Sequence, residues 1–567
     1  MRILYNILLA AAIFAAPLPA RADRNVYLDL MEEAVNAYTP ERLRNYIDRV
    51  DAEGIKEHGY ARITSNIGIL LAHGRIQDKK TLFVEMMDIC VRETPVARRK
   101  NEGQGHFRCG NDFAVKEIVA CITEIEKAGI FPKEKTDAWR EGLKYMKAED
   151  IYSEQPEPGG IAKNWCIFGS ASECVRLSAG IGGDRAFADK YMTDQLRFFD
   201  ENGMYMDPGC PMVYDFVTRL QFMVALDAGY DGPAKEALEG FLLKSALPTL
   251  QMISVTGEMP YGGRSNQFLH NETVMCAVCE YYASWFARRG DMELASRFKS
   301  AASECAASLW YWLNQKPIRH LKNRYPTETG YGCEGYAYFD KYMVTMASWA
   351  YLAFAFANDD IPMATAPEPD CTFVTSDSFH RIMMRAGGYT VQIDTDAQKL
   401  YDCNGIGRFQ KKGASPVIAL ASPCAADLTP NYKLDITSDG GLAIAPEWDK
   451  YEIIKAETGL VVLSNGESTW KIKLSKKGLK MVLKGKGEQM LTLPAFEFDG
   501  ESNSEIKVDG RNLSIAFGGA VCQYRSNGTI TDSGKVYANR NGHLRRMEAR
   551  RTSRLVVRAS IKQKTQL

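Results

Sequence analysis

Between residues 24 and about 365 the apolar positions recur at three-and-four spacing. "YLDLMEEAVNAY", "TDAWREGLKYMKA", "VYDFVTRLQFMVALDAGY", "AKEALEGFLLKSALPTLQMI" and "DMELASRFKSAASECAASLWYWLN" each gather their apolar residues on one side of a helix. "KAGIFP", "DAGYDGP" and "ARRGD" put a glycine just past a helix end. About a dozen helices of roughly 11 residues fit this length. No motif recurs at a strict interval, which argues against tetratricopeptide and ankyrin arrays. A closed ring of helical hairpins, an (α/α) toroid or barrel, suits the helix number better than an open solenoid.

Around residue 360 the pattern changes. "NDDIPMATAPEPDC" combines prolines with acids, the composition of a linker. Beyond it, "GYTVQIDT", "LVVLSN", "TWKIKLS", "KMVLKG", "EIKVDG", "LSIAFGG" and "RLVVRASI" alternate apolar with polar residues between Gly, Asn and Asp turns. Such a series predicts an antiparallel β-sandwich. The expected class is α+β multidomain, with a toroid over 23–360, a linker over 361–372 and a sandwich over 373–567.

The first 22 residues fit neither pattern. "MRILYNILLAAAIFAAPLPARA" has a basic start, a short apolar stretch and a small-x-small end, the form of a signal peptide cleaved after Ala22. The stretch is too short and interrupted for a spanning helix, which needs about 20 apolar residues. The expected location is periplasmic or secreted, with no membrane insertion.

Charge removes one class of partner. Lys plus Arg and Asp plus Glu both total 70, so no global basic field for nucleic acid exists. Arg545, Arg546, Arg550, Arg551, Arg554 and Arg558 form a local basic run on the last strands, read as a solvated face ahead of an anionic-glycan surface. The 14 cysteines are irregularly spaced, and "CAVC" (Cys276 and Cys279) has no second pair to complete a zinc site. Buried packing is the expected role of that pair. No oxygen-rich metal loop is recognisable either, so neither metal nor cofactor is called for.

Candidate chemistry concentrates in "GEMPYGGRSNQFLHNE", residues 257–272. Gly262 and Gly263 permit a sharp turn and close backbone approach. Arg264 can hold a carboxylate bidentately, and Asn266 and Gln267 offer donors and acceptors to sugar hydroxyls. His270 can exchange a proton near neutral pH. Glu258 and Glu272 supply carboxyls, and Tyr261 a phenol.

Three further stretches join it. Residues 200–219 carry Asp207, Tyr214, Asp215 and Arg219, of which Asp215 and Arg219 are also spaced to pair along a helix. Residues 325–343 carry Glu328, Tyr331, Glu334, Tyr336, Tyr338 and Lys341. "GGIAKNWCIFGSASE" carries Asn164 and Trp165. In a helical ring, loops at one rim collect into a shared cleft. "YDCNGIGRFQKKG" in the second domain either reaches back to that cleft through Asn404 and Arg408 or forms a turn between strands.

The arrangement resembles polysaccharide lyases of the heparinase II/III and chondroitin AC type. "YGGRSNQFLHNE", "DPGCPMVYD", "GCEGYAYFDKYM" and "YDCNGIGRFQKKG" are more similar to a related group of bacterial glycoside hydrolases with β-glucuronidase activity. Either resemblance implies a uronic-acid-containing oligo- or polysaccharide as partner. A hydrolase needs two carboxyl groups flanking the bond, drawn from Glu258, Glu272, Asp215 and Glu334. Arg264, Asn266, Gln267, Tyr261, Tyr338, Asn164 and Tyr214 would then hold the substrate. A lyase instead needs the uronate neutralised by Arg264 or Asn266, with His270 as base and Tyr261 or Tyr338 as acid. The resemblance favours hydrolysis, elimination is the alternative, and a glycan-binding protein without catalysis is a second alternative.

Overall fold

The computed structural model describes residues 23–102, 109–157, 159–160, 164–366, 368–398, 401–419 and 442–563. The expected signal peptide lies outside the described residues. No described helix is long and apolar enough to cross a membrane.

Fifteen α-helices precede the first strand among the described residues. They are α1 (Asn25–Asn36), α2 (Pro40–Glu53), α3 (Gly59–Ala72), α4 (Lys80–Glu93), α5 (Ala97–Asn101), α6 (Asn111–Ala128), α7 (Lys133–Lys144) and α8 (Ala148–Ile151). The rest are α9 (Asn164–Ala179), α10 (Arg185–Asp194), α11 (Met212–Asp227), α12 (Lys235–Met252), α13 (Leu269–Arg288), α14 (Met292–Leu313) and α15 (Phe339–Phe356). Helices α3, α6, α9, α11, α13 and α15 each pack on the next, and α15 returns to α3, so the ring closes. Outside it lie α4, α7, α10, α12, α14 and α1, each against an inner neighbour.

Burial separates the two layers. Every residue of α13 from Leu269 to Phe286 is buried, whereas α7 buries only Thr136, Trp139 and Leu143. An outer helix therefore needs one apolar stripe, while an inner helix needs apolar or paired residues all round. Several buried charges of the inner layer are paired. Lys299 on α14 meets Glu280 at 2.9 Å, and Arg62 on α3 meets Glu117 at 2.9 Å. Cys276 and Cys279 are buried free thiols in α13, and no disulfide occurs among the described residues.

The second domain has two antiparallel sheets. The smaller is ordered β1 (Cys371–Val374), β2 (Arg381–Ala386), β3 (Tyr389–Asp394) and β4 (Gly405–Lys411). The larger contains β5 (Glu452–Glu457), β6 (Leu460–Ser464), β7 (Thr469–Ser475), β8 (Gly478–Phe498), β9 (Glu505–Asp509), β10 (Asn512–Phe517), β11 (Ala520–Ser526), β12 (Thr529–Asn539) and β13 (Gly542–Gln563). Its order is β5-β6-β7-β8-β13-β11-β10-β9, with β12 also on β13. Val391 and Phe409 of the smaller sheet share one apolar core with Trp470, Leu483 and Leu493 of the larger, which makes the pair a sandwich. Strand β1 begins two residues inside the stretch read as linker.

The sandwich grips the loop 257–272. Gly263 N–H donates to both oxygens of Asp402, at 3.2 and 3.0 Å, and Tyr261 N–H donates to Gln392 at 3.2 Å. A Cβ at Gly262 would run into the Arg381 guanidinium, and one at Gly407 into the Tyr261 ring. These glycines allow the close approach of two backbones.

Candidate active site at the mouth of the helical ring

All six inner helices bring their N-terminal ends to one cavity of about 960 Å³. His58 and Arg62 come from the start of α3, Phe113 from α6, and Asn164, Trp165 and Phe168 from α9. Tyr214 comes from α11, His270 from α13, and Tyr338, Lys341, Tyr342, Thr345 and Trp349 from α15. Each helix N-terminus carries N–H groups without an intrahelical partner and a partial positive charge. Six of them at one mouth, with Arg62, Arg264 and Lys341 beside them, favour an anionic ligand. Glu57 is the one carboxylate in the described lining. It is occupied, accepting from Tyr46 Oη at 2.6 Å and Gly59 N at 2.7 Å.

Arg264 is held rather than free. Its Nη1 donates to Pro208 O at 2.5 Å, its Nη2 pairs with Asp207, and its guanidinium lies 4.4 Å from the Tyr214 ring centre. Asp207 Oδ1 also accepts from Asn164 N at 2.9 Å and Asn164 Nδ2 at 3.0 Å. One buried carboxylate thus sets Arg264 and Asn164 side by side, and Asn164 Oδ1 keeps no partner. Asp207 precedes Pro208 and Gly209, which as sequence is equally a turn. Its geometry is that of a joint behind the cavity.

Three phenols converge on one hydroxyl. Ser265 Oγ lies 3.1 Å from Tyr214 Oη, 3.2 Å from Tyr336 Oη and 2.7 Å from Tyr342 Oη. Ser265 has φ +60°, a left-handed conformation that costs a non-glycine residue about 1 kcal/mol. It is held there by its N–H to Glu334 Oε1 at 2.7 Å and by Asn271 Nδ2, which donates to its carbonyl at 3.1 Å. Burial pushes the Tyr214 phenol up, against the Arg264 charge and the Ser265 hydrogen bond, which pull it down. Burial also raises Tyr336 and Tyr342.

His270 is neutral at neutral pH, because burial first, and then the charge of His320, Arg62 and Lys322, hold its imidazole well below the usual range. Its tautomer follows from its neighbour. Asn271 Oδ1 accepts from Phe268 N at 3.2 Å, so the Nδ2 side of that amide faces His270 Nε2 at 3.1 Å. Nε2 therefore accepts, and the proton sits on Nδ1, which has no partner. In this state the ring offers a donor, whereas the expected base would need a free lone pair. His58, also depressed, chiefly by burial, lines the cavity from just before α3.

Other expected site residues lie elsewhere. Glu258 and Glu272 share Lys322, at 2.9 and 2.7 Å, in a buried group against the sandwich, where Gln410 also donates to Glu258. Asp215 is locked to Arg219, with contacts of 2.8 and 2.7 Å. Glu334 is locked to Arg540. None of these four carboxylates lines the cavity, and each is held by a cation because a buried charge is costly unless paired. Tyr261 is buried between Gly407 and Arg381. Asn266 donates to Gly263 O, and Asn266 and Gln267 are both buried outside the lining.

Of the expected binding residues, the structure gathers Arg264, Asn164, Tyr214 and Tyr338 at the cavity together with His270. His58, Arg62, Ser265, Tyr342 and Trp349 are not among the residues expected from sequence. Tyr342 stands in the stretch singled out around Tyr338, one helical turn on. His58 and Arg62 carry no local signal beyond the start of a helix. Asn404 bonds the Trp448 and Asp449 carbonyls, and Arg408 on β4 reaches Met259 O, so that stretch braces the loop from behind.

No model of a known protein family matches the chain, and no curated protein sequence matches it. Among solved structures the chain is similar to the crystal structure of heparinase III, with a TM-score of 0.49 at 9% identity over 90% of this chain and 78% of that one. It is also similar to the Streptomyces coelicolor A3 chondroitin AC lyase in complex with chondroitin sulphate, with a TM-score of 0.48 at 9% identity over 99% and 83%. The heparan sulfate lyase HepC from Pedobacter heparinus gives 0.41 at 13% identity over 89% and 76%.

Proposed function

We propose that the protein is an enzyme that cleaves a uronic-acid-containing glycan by β-elimination in this cavity. One observation carries the reading. Among the described residues the lining offers guanidinium, amide, imidazole and a cluster of phenols, while its single carboxylate, Glu57, is already bonded. Hydrolysis by paired carboxyl groups needs two of them facing the bond, and the four acids expected for that task are each held in buried ion pairs.

Elimination needs different groups. Arg264 and the helix N-termini receive the uronate carboxylate, which lets the adjacent carbon release its proton. Tyr214, in its ionised form, takes that proton. The C–H electron pair forms the new double bond, the bond from the β-carbon to the glycosidic oxygen breaks, and that oxygen takes a proton from Tyr336. Ser265 Oγ bridges the two phenols and returns the proton between turnovers. His270 Nδ1–H and Asn164 Oδ1, both unpartnered, orient sugar hydroxyls. Since burial raises Tyr214, the rate rises with pH through the alkaline range.

The test is the mass balance of the products from uronate-containing oligosaccharides. Elimination gives fragments whose masses sum to the substrate, with the ultraviolet absorbance of an unsaturated uronate. Fragments that together carry one added water, without that absorbance, overturn the reading in favour of hydrolysis. Binding without cleavage overturns it in favour of a glycan-binding protein.

A further inference from the structure

No described residue of the sandwich lines the cavity, yet one of its turns reaches the loop that shapes it. The β12–β13 hairpin closes at Asn539 and Gly542, and its tip is pinned on the helical domain. Tyr331 Oη donates to Asn539 O at 3.0 Å and lies 2.9 Å from Gly542 O, while Asn323 Nδ2 donates to Arg540 O at 2.8 Å. From this tip the buried Arg540 guanidinium forks onto Glu334, with Nη1 to Oε2 at 2.7 Å and Nη2 to Oε1 at 2.5 Å. Nη1 also donates to Gly332 O at 2.7 Å. With both carboxylate oxygens held, Glu334 cannot turn, and its Oε1 accepts the Ser265 N–H.

We propose that Arg540 is a positioning residue for the tyrosine cluster, so that the sandwich domain sets the proton-transfer groups of the ring through Glu334 and Ser265. The proposal rests on the reading that those phenols move protons. Two features separate it from an ordinary buried ion pair. The carboxylate ends on the amide of a residue whose left-handed backbone needs an outside anchor. That same residue carries the hydroxyl shared by Tyr214, Tyr336 and Tyr342, so a shift of the amide displaces all three phenols. Charge alone does not define the position. A lysine at 540 would keep the charge and lose the planar fork.

The test compares Arg540→Lys, Arg540→Met and Glu334→Gln with the parent, all as the full chain. It reads kcat and KM across pH on a glucuronate-containing oligosaccharide, the melting temperature, and the fluorine NMR spectrum of fluorotyrosine-labelled protein. Folded Arg540→Lys is expected to lose roughly 10²-fold in kcat with KM within about threefold, as misplacement of reacting groups produces. The alkaline limb of its pH profile moves, and so do the resonances that Tyr214→Phe, Tyr336→Phe and Tyr342→Phe identify. Folded Arg540→Lys and Glu334→Gln proteins with the parental pH profile and unmoved resonances overturn the proposal. A kcat loss that only follows melting temperature, with those resonances unmoved, overturns it too. Should the parent add water to its substrate or turn over nothing, the elimination reading falls, and the fluorine spectra still decide the role of Arg540.

Discussion

The loop 257–272 has two faces that read alike as sequence and differ in what surrounds them. One face carries Arg264 and His270 to the cavity, where polar atoms such as His270 Nδ1 and Asn164 Oδ1 keep no partner. The other carries Glu258 and Glu272 into the domain boundary, where Lys322 lies between them. Charged groups mark both faces, so charge does not distinguish a site from a seam. Open volume does: Glu272 Oε2 on the seam also lacks a partner, but it lies outside the cavity lining.

The largest effect expected from this comparison lies on the cavity side. Tyr214→Phe keeps the ring under Arg264 and removes only the hydroxyl. It should lower kcat by about 10²–10⁴-fold, the usual contribution of a positioned proton-transfer group, and abolish the alkaline rise in rate. Steady-state kinetics across pH check this, with circular dichroism confirming the fold. A variant within a few-fold of the parent would move the chemistry away from the phenol cluster.

The seam should respond in stability and leave the chemistry alone. Glu258→Ala leaves Lys322 with half its counter-charge in a buried position, and breaking such a pair typically costs about 3–5 kcal/mol. Urea denaturation should register that loss, while the folded fraction keeps the parental kcat. Loss of kcat without loss of stability would return Glu258 to the reacting centre.

How far these differences could be read beforehand depends on sequence range. The helical and strand patterns are local: α14 and β7 declare themselves within a few residues through period 3.6 and period 2. The rim stretches are also local, because turns and polar residues cluster, which is why Arg264, Tyr214, Asn164 and Tyr338 were legible together. What was not legible is pairing. Glu334 is bound by a guanidinium 206 positions away, and Glu258 by Lys322, 64 positions away. An acid tied to a distant cation and an acid aimed at a ligand have identical neighbours in the chain. Asp215 was the exception, since Arg219 stands four residues on and pairing was already open to it.

A third contrast concerns protons. Burial against Phe268 and Phe339 pushes the His320 imidazole down to about 4. A histidine depressed in the fold adds stability above its unfolded pKa near 6.5, and that stability is lost as pH falls through 6.5 toward 4. At 1.36 kcal/mol per pH unit the loss is about 3 kcal/mol. His58 and His270, also depressed, act in the same direction. Asp112, raised to about 6 by burial, opposes them, because protonation of that acid favours the fold as pH falls. His320→Gln can still donate to Ala337 O, as His320 Nε2 does at 2.9 Å. Denaturation midpoints between pH 7 and 4 should therefore fall less steeply in His320→Gln than in the parent.

The smallest effect is expected at the surface of the sandwich, where sequence shows a basic run and the structure shows its partners. Arg545 meets Glu497 and Asp532, Arg546 meets Glu447 and Glu548, and Arg550 meets Glu488 and Glu548. Carboxylates answer these three arginines, whereas Arg551, Arg554 and Arg558 stay exposed and form no ion pair among the described residues, as on a solvated face. Exposed pairs of this kind contribute about 0–1 kcal/mol. Arg550→Ala should shift the denaturation midpoint by no more than that and leave kcat, KM and the salt dependence of KM unchanged. An altered salt dependence would mean that the outer face of the sandwich meets the substrate, and the division between an active ring and a bracing sandwich would have to be redrawn there.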